Sequence, residues 1–282
     1  MPVIETLDEL TRTLEKERAT GRQVGLIPTM GALHAGHLSL VDRARAECDT
    51  VVMTVFVNPL QFDAREDLTS YPRDHERDVE LGGRRGVDYV FLPAEKEMYP
   101  GPVLTSVRVS ALTEGLEGAV RPGHFEGVAT VVSKLFAATG RCRAYFGEKD
   151  YQQLLVVRRL AADLSFPVEV IGCETVRERD GVALSSRNAR LTLEQRAAAP
   201  VLHRALLAGR RAVDAGEPTP ERVATAMAAV VTAEPLAQLD YAVAVDANDL
   251  TVPATLAGDV RLLVGARFGS TRLLDNLGAR TP

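Results

Sequence analysis

His34 and His37 are the residues whose type and spacing first suggest chemistry. They lie in the stretch Pro28-Thr29-Met30-Gly31-Ala32-Leu33-His34-Ala35-Gly36-His37. Two imidazoles three residues apart on a helix share a face and supply donors that point the same way. Before them, Val24 to Ile27 is apolar and of strand length. After them, Leu38, Leu40, Val41 and Ala44 follow a helical spacing rather than alternation. The expected element is a strand that turns at Pro28 to Gly31 into a helix, with both histidines in the helix's first turn. Unpaired backbone N–H groups and the helix dipole there make an anion site, so the chemistry implied is phosphate handling for a nucleotide. A metal pair is the competing reading, but such pairs usually need a third ligand, and only Asp42 follows closely. A plain surface helix is the other.

Three further segments carry polar groups where strands should end. Asn58-Pro59-Leu60-Gln61-Phe62 leaves the C-terminal end of the next main strand, which in open α/β sheets is the ligand-binding edge. Uncharged amides there suit a substrate whose hydroxyl and carboxylate must be oriented, although Asn58-Pro59 also reads as a simple turn. Gly147-Glu148-Lys149-Asp150 precedes a helix containing Gln152 and Gln153. A glycine for close approach and a lysine at a helix start suit a phosphate or ribose contact, with a capped turn as the plainer alternative. Leu184-Ser185-Ser186-Arg187-Asn188 offers two hydroxyls and a guanidinium that can bind β- and γ-phosphates and neutralise departing pyrophosphate. Arg121-Pro122-Gly123-His124-Phe125 is a further loop with a cation and a histidine. No G-x-S-x-G, P-loop or G-x-G-x-x-G motif is present. What remains is direct transfer between bound substrates through positioning and charge stabilisation.

The elements that must position these residues alternate. A helix is expected over Thr6 to Lys16 and a strand over Thr50 to Val57, a near-continuous apolar run suited to a strand buried on both faces. Then come a helix over Asp74 to Leu81, a strand over Tyr89 to Leu92 ended by Pro93, and a helix over Gly127 to Ala138. A strand over Arg143 to Phe146, a helix over Asp150 to Ala162 and a strand over Val168 to Cys173 follow. This predicts an α/β fold: a Rossmann-like doubly wound parallel sheet domain over residues 1–175. Beyond it, Thr192 and Gln195 form a capping box for one long helix to about Ala215, and Thr219-Pro220-Glu221 starts another. Strands are expected over Tyr241 to Val245 and Val260 to Val264. The reading is a smaller α+β C-terminal domain over residues 176–282, connected by Arg177 to Arg190.

Composition narrows the classes. The chain has 282 residues, 46% apolar and 25% charged, with a formal net charge of −5. That balance argues against an electrostatic nucleic-acid binder. No apolar run reaches membrane-spanning length, and Met1 to Thr6 lacks the basic start and apolar core of a signal peptide. Three dispersed cysteines, Cys48, Cys142 and Cys173, fit reduced thiols. A cytoplasmic protein is expected.

Together the segments resemble a family. Pro28 to His37 is similar to the HIGH-type motif of the nucleotidyltransferase superfamily. With Phe56 to Phe62, Tyr71-Pro72-Arg73, Arg121 to Phe125, Gly147 to Gln153, Leu184 to Asn188, and the Gly265-Ala266-Arg267 and Thr271-Arg272 region, the series resembles the pantoate–β-alanine ligase (pantothenate synthetase) family. The resemblance implies ATP-dependent, AMP-forming condensation of (R)-pantoate with β-alanine to pantothenate through a pantoyl-adenylate. It implies an ATP site of Met30, Gly31, Ala32, Leu33, His34, Ala35, Gly36, His37, Gly147, Glu148, Lys149, Asp150, Val176, Leu184, Ser185, Ser186 and Arg187. Within it, His34, His37, Lys149, Ser185, Ser186 and Arg187 would be catalytic, with His37 as general acid. Gln61 would touch pantoate and β-alanine and Gln153 would hold pantoate, with Asn58, Tyr71, Arg121, His124 and Phe125 as further substrate contacts. The C-terminal domain would act as a lid. Mg²⁺ would accompany ATP, held mainly by phosphate oxygens; Asp74 and Asp78 are the conceivable protein ligands. A homodimer is implied as well. Ala35 departs from the family, where Glu is common. Another HIGH-motif adenylyltransferase and a non-catalytic nucleotide-binding protein remain as alternatives.

Overall fold

The strand Val24–Thr29 (β2) and the strand Thr50–Val55 (β3) are buried along nearly their whole length, as strands covered on both faces must be. The computed structural model describes residues 1–62, 68–69 and 71–282. It forms two units, Met1–Glu148 with Gln152–Glu174, and Lys149–Tyr151 with Thr175–Pro282.

In the first unit β2 and β3 join Val3–Ile4 (β1), Tyr89–Phe91 (β4), Cys142–Gly147 (β5) and Val168–Cys173 (β6). The six are parallel, in the order β1-β4-β3-β2-β5-β6. Strand order reverses at β2/β5, the switch point at which ligands bind outside the carboxyl ends. The strand does not stop before Pro28. Pro28 stays in register with Thr54 of β3, whereas pairing to β5 is confined to Gly25 and Leu26. Successive residues of a parallel strand bond to opposite neighbours. Thr29 gives its carbonyl to Phe56 on the β3 side (3.1 Å), so Pro28 faces β5 and has no N–H to donate. The ladder to β5 therefore ends at Leu26, and the two strands part toward their carboxyl ends.

The helices extend or shift the expected ones. They run Leu7–Ala19, Ala35–Glu47, His75–Arg84, His124–Thr139 and Tyr151–Asp163. Local caps explain several starts: Thr6 Oγ1 accepts from Glu9 N–H at 3.2 Å, and Asp74 accepts from Arg77 N–H at 3.1 Å. β1 and the short helices Glu95–Met98 and Glu117–Val120 have no counterpart in the sequence reading, being too short for a period to register.

In the second unit Gln238–Asp246 (β7), Asp259–Phe268 (β8) and Thr271–Arg280 (β9) form an antiparallel sheet. Its core joins Leu202, Leu206, Val223, Met227, Leu262 and Phe268. β9 has no counterpart in the sequence reading, because its buried Asp275 and Asn276 interrupt the apolar alternation. The single long helix expected to about Ala215 is two, Leu193–Ala198 and Val201–Asp214. Pro200 lacks the N–H that would continue the first ladder, so the chain restarts there. The Thr192/Gln195 capping box is present, whereas Thr219 makes no side-chain cap to the helix Pro220–Thr232. The Arg177 to Arg190 stretch is not an open connection. Arg177 and Ala183 pair across a tight hairpin that packs within this unit.

His203, on the helix Val201–Asp214, packs against that hairpin so closely that a Cβ on Gly181 would lie 2.2 Å from its Nδ1. Burial, then the nearby Arg177, hold its pKa below the ordinary 6.5. As pH falls through about 6.5 the unfolded chain takes up this proton before the folded one, so stability declines with acidity. His203→Gln should flatten the fall of melting temperature between pH 7.5 and 5; an unchanged slope would remove His203 as a cause.

Candidate active site

The turn after β2 is shaped by two left-handed residues, Gly31 (φ 80°) and Ala32 (φ 51°). Asp78, on the helix His75–Arg84, is only 1% exposed and explains them. Its Oδ2 accepts from Ala32 N–H at 2.9 Å and its Oδ1 from Leu33 N–H at 2.8 Å. Gly31 has to be glycine twice over, because a Cβ would stand 2.6 Å from Asp78 Oδ2. Leu33 turns its side chain into the core, Gly31 N–H bonds Thr29 Oγ1 at 3.1 Å, and Ala35 opens the helix exposed to solvent.

The histidines are arranged differently from two donors on one helical turn. His34 is the N-cap, with extended backbone, and His37 is the third helical residue. His34 Nδ1 accepts from Gly36 N–H at 3.1 Å, and His37 Nδ1 accepts from His34 N–H at 3.4 Å, a reciprocal capping box. The rings stack with centroids 4.0 Å apart. A neutral imidazole that accepts at Nδ1 carries its proton on Nε2. The amides expected to be open are largely bonded: Gly36 N–H to the His34 imidazole, His37 and Leu38 N–H to the His34 carbonyl, and Ala32 and Leu33 N–H, just before the helix, to Asp78. The turn keeps the positive end of the helix dipole and two stacked imidazole rings that carry their protons on Nε2.

After β3, Gln61 is held on every side. Asn58 Nδ2 donates to Gln61 Oε1 and to the Gly127 carbonyl, both at 3.1 Å, and Asn58 Oδ1 accepts from the Tyr99 hydroxyl at 2.8 Å. Burial pushes the Tyr99 phenol well above its usual range, which keeps it a donor. The Gln61 carbonyl meets His124 Nδ1 at 2.8 Å and Arg121 Nη2 at 3.1 Å. Arg121 Nη1 also lies 3.1 Å from His124 Nε2. A guanidinium cannot accept, so Nε2 must, which leaves the proton on Nδ1 to bond the Gln61 carbonyl. Gln61 Nε2 lies 3.0 Å from Met30 Sδ, which brings the carboxamide against the histidine turn. Gly127 permits the arrangement, since a Cβ there would sit 2.3 Å from the Leu60 carbonyl oxygen.

Other expected residues fall around these. Tyr71 meets Phe62 edge-on at 5.8 Å, and its carbonyl accepts from Arg73 at 3.0 Å. Phe125 is buried beside His124. Gly147 ends β5 with open space where a side chain would project, and Glu148 follows it in the same unit. Gln152 is committed to the backbone, accepting from Glu117 N–H at 3.0 Å and donating to Leu112 and Gly115 carbonyls, whereas its neighbour Gln153 is half-buried. Asp74 caps its helix, and no cluster of three His, Cys, Asp or Glu side chains suited to a metal occurs among the described residues.

In the second unit Lys149, Ser185 and Arg187 line one small hollow together with Asn188, Arg272 and Asp275. Ser185 Oγ accepts from Arg187 N–H at 3.2 Å, capping the short turn Ser186–Arg190. The Val176 carbonyl accepts from Leu184 N–H at 2.9 Å, closing the hairpin below it. Lys149 Nζ pairs with Asp150 at 3.3 Å. Asp78, Tyr99, Gly127 and Arg177 support these residues, a role that the sequence reading misses. There Asp78 figures only as a metal ligand, and its fixed acceptor geometry depends on contacts more than 40 residues away in the chain.

A doubly wound parallel sheet whose switch-point helix begins at a histidine pair defines a nucleotide-handling α/β enzyme. Comparison with known proteins makes the class particular. The Pantoate-beta-alanine ligase family profile matches residues 2–278, and the chain belongs to that family. It is 52% identical over 276 residues to the pantothenate synthetase of Cereibacter sphaeroides, covering 98% of this chain and 99% of the relative. It is 50% identical over 277 residues to that of Moorella thermoacetica, covering 98% of each. The solved pantothenate synthetase of Thermus thermophilus is similar with a TM-score of 0.92 at 51% identity, over 98% of this chain and 99% of that one. The pantoate-β-alanine ligase of Francisella tularensis, solved with β-γ ATP and β-alanine, gives 0.80 at 31% identity over 98% and 97%. The chain is an enzyme that joins pantoate to β-alanine.

Two substitutions separate the roles of the turn. His34→Ala should lose about 1 kcal/mol of stability with the cap, whereas His34→Asn keeps a good cap and should retain it. Both should lose turnover; full activity in His34→Asn would show that the imidazole only caps. Asp78→Asn turns one acceptor into a donor facing an N–H. It should cost about 1–3 kcal/mol and weaken ATP binding, as read by chemical denaturation and by KM for ATP.

Proposed function

We propose that the chain condenses (R)-pantoate with β-alanine in two steps at the expense of ATP. A pantoate carboxylate oxygen attacks the α-phosphorus of ATP, forming pantoyl-adenylate as the bond to pyrophosphate breaks. The β-alanine amine then attacks the activated carbonyl carbon, AMP departs and a proton is lost, leaving pantothenate. The observation that carries this reading is the 3.0 Å approach of Gln61 Nε2 to Met30 Sδ, which sets an acid-orienting amide beside the histidine turn. An adenylation needs such a neighbourhood, a carboxylate held next to bound phosphates, and its catalysis is mainly positioning and electrostatic. ATP and β-alanine in the related Francisella tularensis ligase support it.

Roles follow unit by unit. In the first, His34 and His37 donate from Nε2 to the phosphates, His37 also as general acid, with Met30 to Gly36, Gly147 and Glu148 around the nucleotide. Gln61 and Gln153 bind pantoate, and Gln61 also meets β-alanine. Asn58, Arg121 and His124 act largely by fixing Gln61, and Tyr71 and Phe125 line the same region. In the second unit Lys149, Ser185, Ser186 and Arg187 balance the phosphate charge, with Asp150, Val176 and Leu184 completing the nucleotide contacts. We assign residues 1–175 as the nucleotide- and pantoate-binding domain and residues 176–282 as the smaller lid domain. Mg²⁺ enters with ATP through phosphate oxygens, as hard-ion chemistry prefers. Asp74 and Asp78 are occupied as a helix cap and as acceptors for the Ala32 and Leu33 amides. The same reading assigns the protein to the cytoplasm as a homodimer. Among the described residues no helix is long and apolar enough to cross a membrane. Cys48, Cys142 and Cys173 are free and buried, and burial pushes the Cys142 thiol up to about 12.

The test is product release with each substrate withheld in turn. Pyrophosphate should require pantoate, and AMP should require β-alanine in addition. Retention of an adenylylated product with no release of AMP would identify a different HIGH-motif adenylyltransferase. ATP binding without pantoate-dependent pyrophosphate would leave a non-catalytic nucleotide-binding protein.

A further inference from the structure

Consecutive residues of a strand point to opposite faces of its sheet. On β9 two consecutive polar residues, Asp275 and Asn276, are both buried, at 4% and 3% exposure. Buried polar side chains persist where they are hydrogen-bonded, and these two are bonded to the two chain segments that carry the candidate phosphate residues. On the helix-covered face, Asp275 receives both arms of the Arg177 guanidinium, Nη1 to Oδ2 at 2.5 Å and Nη2 to Oδ1 at 3.0 Å. Arg177 also donates to the Asn276 carbonyl at 3.1 Å and to that of Gly181 at 3.0 Å. It thereby pins the hairpin that leads directly into Ser185, Ser186 and Arg187. On the opposite face, Asn276 Nδ2 donates to the Lys149 carbonyl at 2.7 Å while its Oδ1 accepts from Arg261 Nε, also at 2.7 Å. The Arg261 guanidinium is itself stacked 3.8 Å over the Tyr151 ring, two residues past Lys149.

We propose that Asp275 and Asn276 are positioning residues that set, from the two faces of one strand, the placement of Lys149 relative to Ser185, Ser186 and Arg187. The proposal rests on the phosphate role given to those residues above. One strand residue holds the backbone of the lysine and the next holds the base of the hairpin. The separation of the two charge-bearing segments is then a property of a single peptide unit.

Asn276→Asp keeps the oxygen that serves Arg261 and the volume of the side chain, but has no donor for the Lys149 carbonyl. Asn276→Ala removes both. Pantoate-dependent pyrophosphate release is measured for the whole chain at a temperature at which melting curves show every variant folded. Displacement of a catalytic group by about 1 Å costs on the order of 100-fold, so both variants should lose about 10- to 100-fold in kcat. KM for pantoate should stay near that of the unsubstituted chain. Asp275→Asn should give a like loss through the hairpin. Pyrophosphate release at the unsubstituted rate in both Asn276 variants would overturn the proposal, as would a loss no greater than the unfolded fraction. Absence of pantoate-dependent pyrophosphate in the unsubstituted chain would instead overturn the functional reading.

Discussion

The first unit depends on a carboxylate that faces inward. Asp78 spends both oxygens on the Ala32 and Leu33 amides, and so holds the Gly31-Ala32 turn in the left-handed region, which the Ala32 side chain disfavours. A bound phosphate is the usual occupant of such a concave run of amides. Here the protein supplies its own anion from behind. The helix start is thereby preformed, with the Ala32 and Leu33 amides already occupied. The cost of bending Ala32 is offset by two charge-assisted hydrogen bonds in a buried setting, where they are stronger than in water.

The Gln61 cluster follows the same logic with neutral groups. The Gln61 carboxamide has its oxygen fixed by Asn58, and its backbone carbonyl is fixed by Arg121 and His124. Each of these is fixed in turn, by Tyr99, by Gly127 and by the tautomer that Arg121 imposes on His124. Polar residues near the candidate centre therefore divide into those that face outward and those whose hydrogen-bonding capacity is consumed within the protein. Asn58, with both amide hydrogens engaged, belongs to the second kind.

Much of this was legible in the sequence because it is periodic or local. β3, the β2-to-helix transition and the Thr192/Gln195 cap follow from spacing within a few residues, and the parallel sheet from the alternation of strands with helices. The resemblance to the ligase family was carried by short motifs of the same local kind. The parts that were not legible are set by distant contacts. Pro28 reads as a turn until β3 is present to keep it in a strand. Asp78 reads as a metal ligand until the amides it bonds, 45 and 46 residues away, are known. β9 reads as irregular because two polar residues sit where apolar ones should alternate, and their partners Arg177 and Lys149 are about 100 or more residues distant. Glycine roles were hidden in the same way, since Gly127 is required by the carbonyl of Leu60, a residue on another element.

Pro28 also governs the space beside it. β2 and β5 separate after Leu26 because the next residue able to bridge them has no hydrogen to offer. Most crevices are kept open by side chains that rotate, charges that titrate or loops that order on binding. This opening is written into covalent structure. A missing hydrogen cannot be protonated, screened by salt or displaced by a ligand, so no change of conditions can restore that rung of the ladder between the two central strands.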